Sequence, residues 1–434
     1  MKKDIKQNNQ DLIMSSAFQP AKGTRDIPPE EMRRLLFVFD TCRNVFEKYG
    51  FAPLETPAFE SFELLAAKGG EAVKDEIYFF KDKGGRNLGL RFDMTVGLAR
   101  FIANNPNVQK PFKRYAFGKV WRYDNPQAMR WREFYQLDID IIGSSQVEAD
   151  AECIACFCEC LDALGIRGYY IRVNNRNLLK TFLVSRNVSE KNLDFWFRII
   201  DKLDKIGKEG VEKELLEKRF DKKVVKDVLD NLEKVSENTE KLKNMEGFQE
   251  LARLTELAKS YNISDKLKFD ISLVRGLEYY TGLVFEIGIK DVKVSLGGGG
   301  RYDKMIKSFG GPDLPATGIS FGLSRLIQYM EEKNLFSIPK NITKIFVANV
   351  DESAKSYAID IAQKLRSAGI AAETDLMGKK LGKQLEYASS AGIPFVAIIG
   401  GDEIKRKSVK LRNMKTGKEE MIKTEKLAEE MKEK

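Results

Sequence analysis

The chain has 434 residues, 43% of them hydrophobic, and 73 Lys and Arg set against 64 Asp and Glu give a net charge of +9. That length predicts two or three domains with ample core, and the mild positive balance permits a polyanionic partner without demanding one. There is no histidine in the chain, which excludes Ser-His-Asp triads and most catalytic zinc sites.

Residues 1–17 begin basic but lack an apolar core segment, so they read as a loose tail and not a secretory signal. Pro28 and Pro29 open an amphipathic helix from Glu30 to Tyr49, with Met32, Leu35, Leu36, Phe39, Val45 and Phe46 at helical spacing and Gly50 as its stop. The segment FAPLETPAF then reads as an extended strand with two prolines. Proline cannot donate to a sheet ladder, so this strand belongs at an edge or an interface. IYFFKDKGGRNLGLRFDMT follows as two strands around a Gly-Gly turn.

From Tyr115 to Gly143 the pattern predicts a strand (Ala116–Tyr123), a loop at Asp124–Met129 and a returning strand (Trp131–Ile142). Along the return, Phe134, Gln136, Asp138 and Asp140 alternate with Tyr135, Leu137, Ile139 and Ile141, so one face is apolar and the other strongly polar. Arg122, Arg130 and Arg132 flank the loop. Three guanidinium groups around a tight turn on an otherwise apolar hairpin favour anion binding over plain surface charge.

Cys153, Cys156, Cys158 and Cys160 lie in a helical pattern ending at Gly165. Three of them share one face and Cys158 does not, so packing is the better reading and no metal site is expected. Five cysteines in a chain this long do not make a disulfide scaffold, which suggests a reducing cytoplasm. No stretch reaches the roughly 18 uninterrupted apolar residues of a membrane span, so no membrane association is expected.

Residues 180–262 turn Lys- and Glu-rich with helical spacing and predict a helical insertion. Two short segments follow. Leu273–Gly282, LVRGLEYYTG, reads as a strand entering a turn, with Arg275 in apolar company and therefore in need of an anionic partner. Its Tyr279 and Tyr280 offer hydroxyls on apolar rings, which suits a small, flat, partly polar group. Ser295–Asp303, SLGGGGRYD, lets backbone approach a ligand closely and then supplies Arg301 and Tyr302. Ala316–Phe321 reads as a strand leading into a helix with Arg325. Residues 337–341 read as a linker, and 342–434 alternate strands and helices as a compact α/β domain.

In their order these segments resemble class II aminoacyl-tRNA synthetases. The long helix with the Pro57 strand is similar to motif 1, the hairpin with Arg122 to motif 2, and the strand and helix with Arg325 to motif 3. LVRGLEYYTG and GGGGRYD resemble the two histidine-binding motifs of the histidyl-tRNA synthetase family, and WRYDNPQAMRWREFYQLDIDIIG has the archaeal and eukaryotic style of that family. The resemblance implies an α+β fold. A catalytic domain at 18–336 has an antiparallel sheet flanked by helices and includes the insertion, and 342–434 form a C-terminal α/β anticodon-binding domain. It implies a homodimer built through motif 1, and four ligands: ATP, Mg²⁺, L-histidine and tRNA(His).

The implied reaction is activation of histidine to its adenylate and transfer to the 3′ end of tRNA. By family match, Arg122 contacts the α-phosphate and substrate carboxylate. Arg275 stabilises charge at the α-phosphate, and Arg325, helped by Arg130, holds the γ-phosphate. Asp93 and Thr95 take the α-amino group with Gln136 nearby. Asp140 and Tyr280 face the imidazole nitrogens, and Tyr279 and Tyr302 line the pocket. Asp stands at 93 and 140 where bacterial relatives carry Glu, so the pocket geometry differs from theirs. The rival implication is a non-catalytic synthetase-like regulatory subunit of histidine biosynthesis. The intact Arg275 and the C-terminal domain both speak against it.

Overall fold

The computed structural model describes residues 19–67, 76–123, 131–237, 239–275, 279–290, 292–339 and 341–434. The tail expected at 1–17 and Arg130 lie outside these residues. The chain divides into two compact units, Met1–Phe336 and Ser337–Lys434. Among the described residues no helix is long and apolar enough to cross a membrane.

The first helix, α1 (Pro29–Lys48), buries Leu35, Val38, Cys42, Val45 and Phe46, the three- and four-residue spacing of one helix face. Gly50 at φ +77° reverses the chain after it. Eight strands form the main sheet: β1 (Ala52–Pro53), β2 (Phe112–Trp121), β3 (Glu133–Ile142), β4 (Tyr169–Asn175), β5 (Leu267–Phe269), β6 (Leu283–Ile289), β7 (Val292–Arg301) and β8 (Ala316–Gly322). Their spatial order is β1-β2-β3-β8-β7-β6-β4-β5. The interior pairings are antiparallel, and only the two outermost, β1 with β2 and β4 with β5, are parallel.

Three differences from the sequence reading have physical causes. FAPLETPAF is not one strand. Ala52–Pro53 joins the edge of the main sheet, while Phe59–Ser61 pairs with Asn87–Leu90 in a separate three-stranded sheet, as expected of a segment whose prolines cannot sustain a ladder. The strand expected at Leu273–Gly282 is not found among the described residues of that segment, 273–275 and 279–282. Ile271 and Ser272 turn, with the Leu273 N–H donating to the Asp270 carbonyl, Arg275 takes φ +60°, and among the described residues strand pairing begins only at Leu283. Asn174 on β4 fastens the turn by donating to the carbonyls of Ile271 and Leu273, both at 2.9 Å. Finally, the helices begin at Arg176, four residues before the expected insertion, and continue to Ser260. Trp196, Val211, Leu215, Val228 and Leu254 from this region bury in the same apolar core as the sheet.

One face of the main sheet packs on α2 (Val147–Ala163). Phe157 of that helix stacks on Phe321 of β8 with ring centroids 4.1 Å apart and on Phe46 of α1 at 5.9 Å. All five cysteines are buried and none is in a disulfide. Burial pushes the Cys158 thiol up to about 12 and raises Cys153 and Cys160 as well, so they stay protonated and pack as small apolar groups. Among the described residues no cluster of acidic or sulfur ligands could hold a metal ion.

The second unit is a five-stranded sheet of β9 (Ile345–Asn349), β10 (Ala372–Thr374), β11 (Phe395–Ile399), β12 (Ser408–Asn413) and β13 (Glu419–Lys423), in the order β10-β9-β11-β12-β13. The first three are parallel and the last two antiparallel. Helices Lys355–Ser367 and Leu381–Ser390 form the crossovers.

Candidate active site

The opposite face of the main sheet is laid out by strand register, because directly paired residues point to the same side. Across one row stand Arg114, Asp140, Gly318, Gly300, Val284 and Asn174; across the next, Ala116, Asp138, Ser320, Gly298, Glu286 and Arg172. Gly118, Gln136 and Gly322 continue it. Glycines thus form a floor between a polar wall on β2 and β3 and another on β4 and β6.

The floor is occupied from above. A Cβ on Gly298 would lie 2.6 Å from Nη1 of Arg275, and one on Gly300 would lie 2.9 Å from the Tyr280 ring and 2.6 Å from the Leu283 carbonyl. At Gly318 it would collide with the Asp140 carboxylate and stand 2.7 Å from the Ile139 carbonyl. We predict that Gly318→Ala lowers stability by about 1–3 kcal/mol through overpacking and weakens histidine binding. Denaturant unfolding and calorimetry check this, and an unchanged affinity would remove the close approach from the account.

Asp140 is 3% exposed, and each of its carboxylate oxygens lies against a polar partner. Arg114, itself 1% exposed, places Nη2 2.7 Å from one carboxylate oxygen, and the Tyr302 hydroxyl donates to the other. Asp140 therefore reaches a ligand as the anchor of Tyr302 and Arg114 as much as directly. Tyr302, Tyr279 and Tyr280 cluster, with Tyr279 4.5 Å from Tyr280 and 6.0 Å from Tyr302 between ring centroids. Burial holds the Tyr279 and Tyr302 phenols well above their ordinary value, so both remain neutral donors. Beside them opens a cavity of about 420 Å³ lined by Tyr279, Tyr280, Thr281 and Met305 among others.

Asp93 caps the helix Thr95–Asn104: one of its oxygens accepts from the backbone N–H of Thr95 at 3.1 Å and of Val96 at 3.0 Å. This fixes Thr95 at the helix start and leaves Asp93 close enough to Asp138 to act on its charge. Arg122 lies one residue past the end of β2, where its Nε donates to the Phe92 carbonyl at 3.1 Å and its guanidinium sits 5.3 Å from the Phe134 ring. Arg275 leans across the floor with Nη1 3.0 Å from Glu286 and remains 23% exposed. A non-glycine residue at φ +60° costs about 1–3 kcal/mol, strain that clusters at functional positions. Arg325 sits on the helix Leu323–Glu332, and its Nη1 donates to the Ser295 carbonyl at 3.1 Å.

The structure therefore gathers Asp93, Gln136, Asp140, Arg275, Tyr279, Tyr280 and Tyr302 on or above one sheet face, with Thr95 and Arg122 at its border. Arg325 lies on the following helix, bonded to the Ser295 carbonyl. Sequence reasoning missed Arg114, Glu286 and Ser320, and it noted the polarity of Asp138 without giving it a role. Arg114 could have been suspected from its position two residues before Ala116 on an apolar strand. Arg301, in contrast, belongs to the scaffold: it is buried, with Nε 3.1 Å from the buried Asp150 and its other nitrogens on the carbonyls of Ser144 and Gln146.

A largely antiparallel sheet with a polar, glycine-floored face, backed by a long helix and followed by a separate α/β unit, defines a class II aminoacyl-tRNA synthetase. Residues 23–326 match the family model for histidyl-tRNA synthetase and residues 344–434 that for the anticodon binding domain. The histidine–tRNA ligase of Pyrococcus furiosus is 38% identical over 428 residues, covering 96% of this chain and 99% of that relative. That of Thermococcus kodakarensis is 39% identical over 425 residues, 94% and 97% of the two chains. A crystal structure of histidyl-tRNA synthetase from Nostoc superposes with a TM-score of 0.83 at 32% identity, over 96% of this chain and 99% of that one. The chain belongs to the histidyl-tRNA synthetase family.

Proposed function

We propose that the glycine-floored face binds histidine and the α-phosphate of ATP side by side. The overall reaction is that of the family: ATP-dependent activation of histidine, then transfer to tRNA(His). In the first step the histidine carboxylate attacks the α-phosphorus and pyrophosphate leaves. In the second, a 3′-terminal ribose hydroxyl of the tRNA attacks the activated carbonyl and AMP leaves. Neither step needs a protein nucleophile, so the work is alignment and charge neutralisation.

The observation that carries the histidine reading is the carboxamide oxygen of Gln136, buried and without a hydrogen-bond partner among the described residues. It stands on β3 two residues before Asp138 and diagonal to Ser320, where an α-ammonium group would satisfy it. Asp93 and Thr95 border the same place. The imidazole then lies toward Tyr280 and Asp140, with Tyr279 and Tyr302 as walls. A hydroxyl and a carboxylate-anchored phenol reject side chains that lack two ring nitrogens, because the pocket's polar groups would be left unpaired. Arg122 and Arg275 take the α-phosphate, and Arg325 with Arg130 takes the triphosphate end.

Mg²⁺ enters as the counter-ion of the ATP phosphates, where it would supply charge neutralisation at their oxygens. The described residues offer no three-ligand cluster of their own for it, so it is assigned to phosphate oxygens. We assign catalysis to residues 18–336 including the 180–262 insertion, a linker to 337–341 and anticodon binding to 342–434. The five buried free thiols fit a reducing cytoplasm. A homodimer through α1 and its following strands would cover Leu36, Phe37, Phe59, Phe79 and Phe80, all exposed here; light scattering at the dimer mass supports it and a monomer at working concentration removes it.

Asp138 makes histidine binding pH-dependent. Burial pushes its carboxyl up to about 7, with the charges of Asp140 and Asp93 adding to the rise and Arg114 opposing it. A bound ammonium group favours the ionised form, so affinity should fall as pH drops below 7, by up to about tenfold per unit. Histidine's own imidazole, with a pKa of about 6.5, titrates in the same range. Calorimetric titrations of the native protein and Asp138→Asn at pH 5.5 to 8.5 separate the two, since the variant keeps only the substrate's contribution. Parallel profiles for the two proteins would contradict the role.

A further inference from the structure

We infer that Asp138 and Ser320 form a hydrogen-bond relay that fixes which end of the Gln136 carboxamide faces the substrate. This deepens the histidine reading of the cleft and rests on it.

Ser320 on β8 stands directly opposite Asp138 on β3. Its hydroxyl donates to the Asp138 carboxylate, and the Gln136 side-chain nitrogen donates to the Ser320 oxygen at 3.2 Å. A hydroxyl has one proton, and an ionised carboxylate accepts only. With its one O–H committed to the hydrogen bond with Asp138, the Ser320 oxygen can only accept from other groups. The Gln136 amide must then present NH₂ to Ser320, which turns its carbonyl oxygen away and toward the cleft. That oxygen is the buried acceptor without a partner among the described residues. Gly298, next in register to Ser320, offers no side chain that could compete for the hydroxyl.

The consequence is specific to a cationic ligand group. An amide in the fixed orientation offers an acceptor to an α-ammonium; the flipped amide would offer a donor and repel it. Asp138 and Ser320 are thus positioning residues, acting on the substrate through Gln136. The buried charges around them are Arg114 from β2, Asp140 from β3 and Asp93 from the helix cap; Arg114 pairs with Asp140, and Asp93 accepts from the backbone N–H groups of Thr95 and Val96.

The test is histidine-dependent ATP–pyrophosphate exchange by Ser320→Ala, Gln136→Glu and the double variant, with KM for histidine, KM for ATP and kcat measured separately. Ser320→Ala frees the amide to rotate and should raise KM for histidine about tenfold, the effect of losing one hydrogen bond to a charged group. kcat and KM for ATP should stay within about threefold. A glutamate at 136 has acceptor oxygens at both ends. In the parent protein it faces the Ser320 lone pairs and should impair binding. In the Ser320→Ala background, where orientation no longer matters, it should restore it. That reversal of sign is not produced by a merely structural role. An unchanged KM in Ser320→Ala, or losses that multiply in the double variant, would overturn the relay. Absence of histidine-dependent exchange in the parent protein would instead remove the underlying reading of the cleft.

Discussion

Arg275→Ala is expected to slow adenylate formation about a thousandfold, the scale of removing a preorganised donor from a developing charge, while the Kd for histidine moves less than about threefold. Three features hold this guanidinium over the glycine floor: a left-handed backbone at φ +60°, the Glu286 carboxylate at 3.0 Å and the lack of a side chain on Gly298, which lets it approach the sheet. The arrangement keeps it planar, charged and partly open toward the place where the carboxylate and α-phosphorus would meet. Its loss should not collapse the site, because Glu286 retains Arg172 at 3.3 Å as a cationic partner. Rapid-quench measurement of the adenylation burst, with histidine affinity by calorimetry, separates the two effects. Lost affinity with an unchanged burst rate would reassign Arg275 to substrate binding.

The second large effect falls on stability. Arg114→Met should cost about 3–5 kcal/mol, because it leaves Asp140 and its neighbour Asp138 buried without their guanidinium. Adding Asp140→Leu should recover most of that loss, since replacing both members of a buried pair by apolar groups is often close to neutral. Histidine activation should not recover, because Tyr302 would then have lost its acceptor. Urea unfolding and exchange assays on the two variants read these predictions independently. A double variant that regains activity would show that the pair serves the scaffold only.

Much of this was legible in the chain. The α1 stripe, the alternation along β3 and the order of motif segments are local patterns, set by helical and strand periodicity, and a sequence displays them directly. The glycine run was legible as a place of close approach, and the register of β6, β7 and β8 shows what approaches. Other features depend on partners remote in sequence. Arg114 looks like any arginine in KRYAFG until Asp140 is laid beside it across the hairpin. Arg275 reads as a strand residue because its neighbours are apolar; only the fastening of its turn by Asn174, about a hundred residues earlier, pulls the segment off the sheet. The helices after Arg176 carry so much surface charge that they read as an insertion, yet their apolar positions join the main core.

The most direct test of the account is ATP–pyrophosphate exchange by the purified protein with histidine, proline, threonine, glycine or no amino acid. The account predicts exchange that depends on histidine, with the other three at background. Exchange driven by another of these amino acids would contradict the pocket assigned to histidine. A folded protein that binds histidine but catalyses no exchange would contradict the catalytic reading of Arg122 and Arg275.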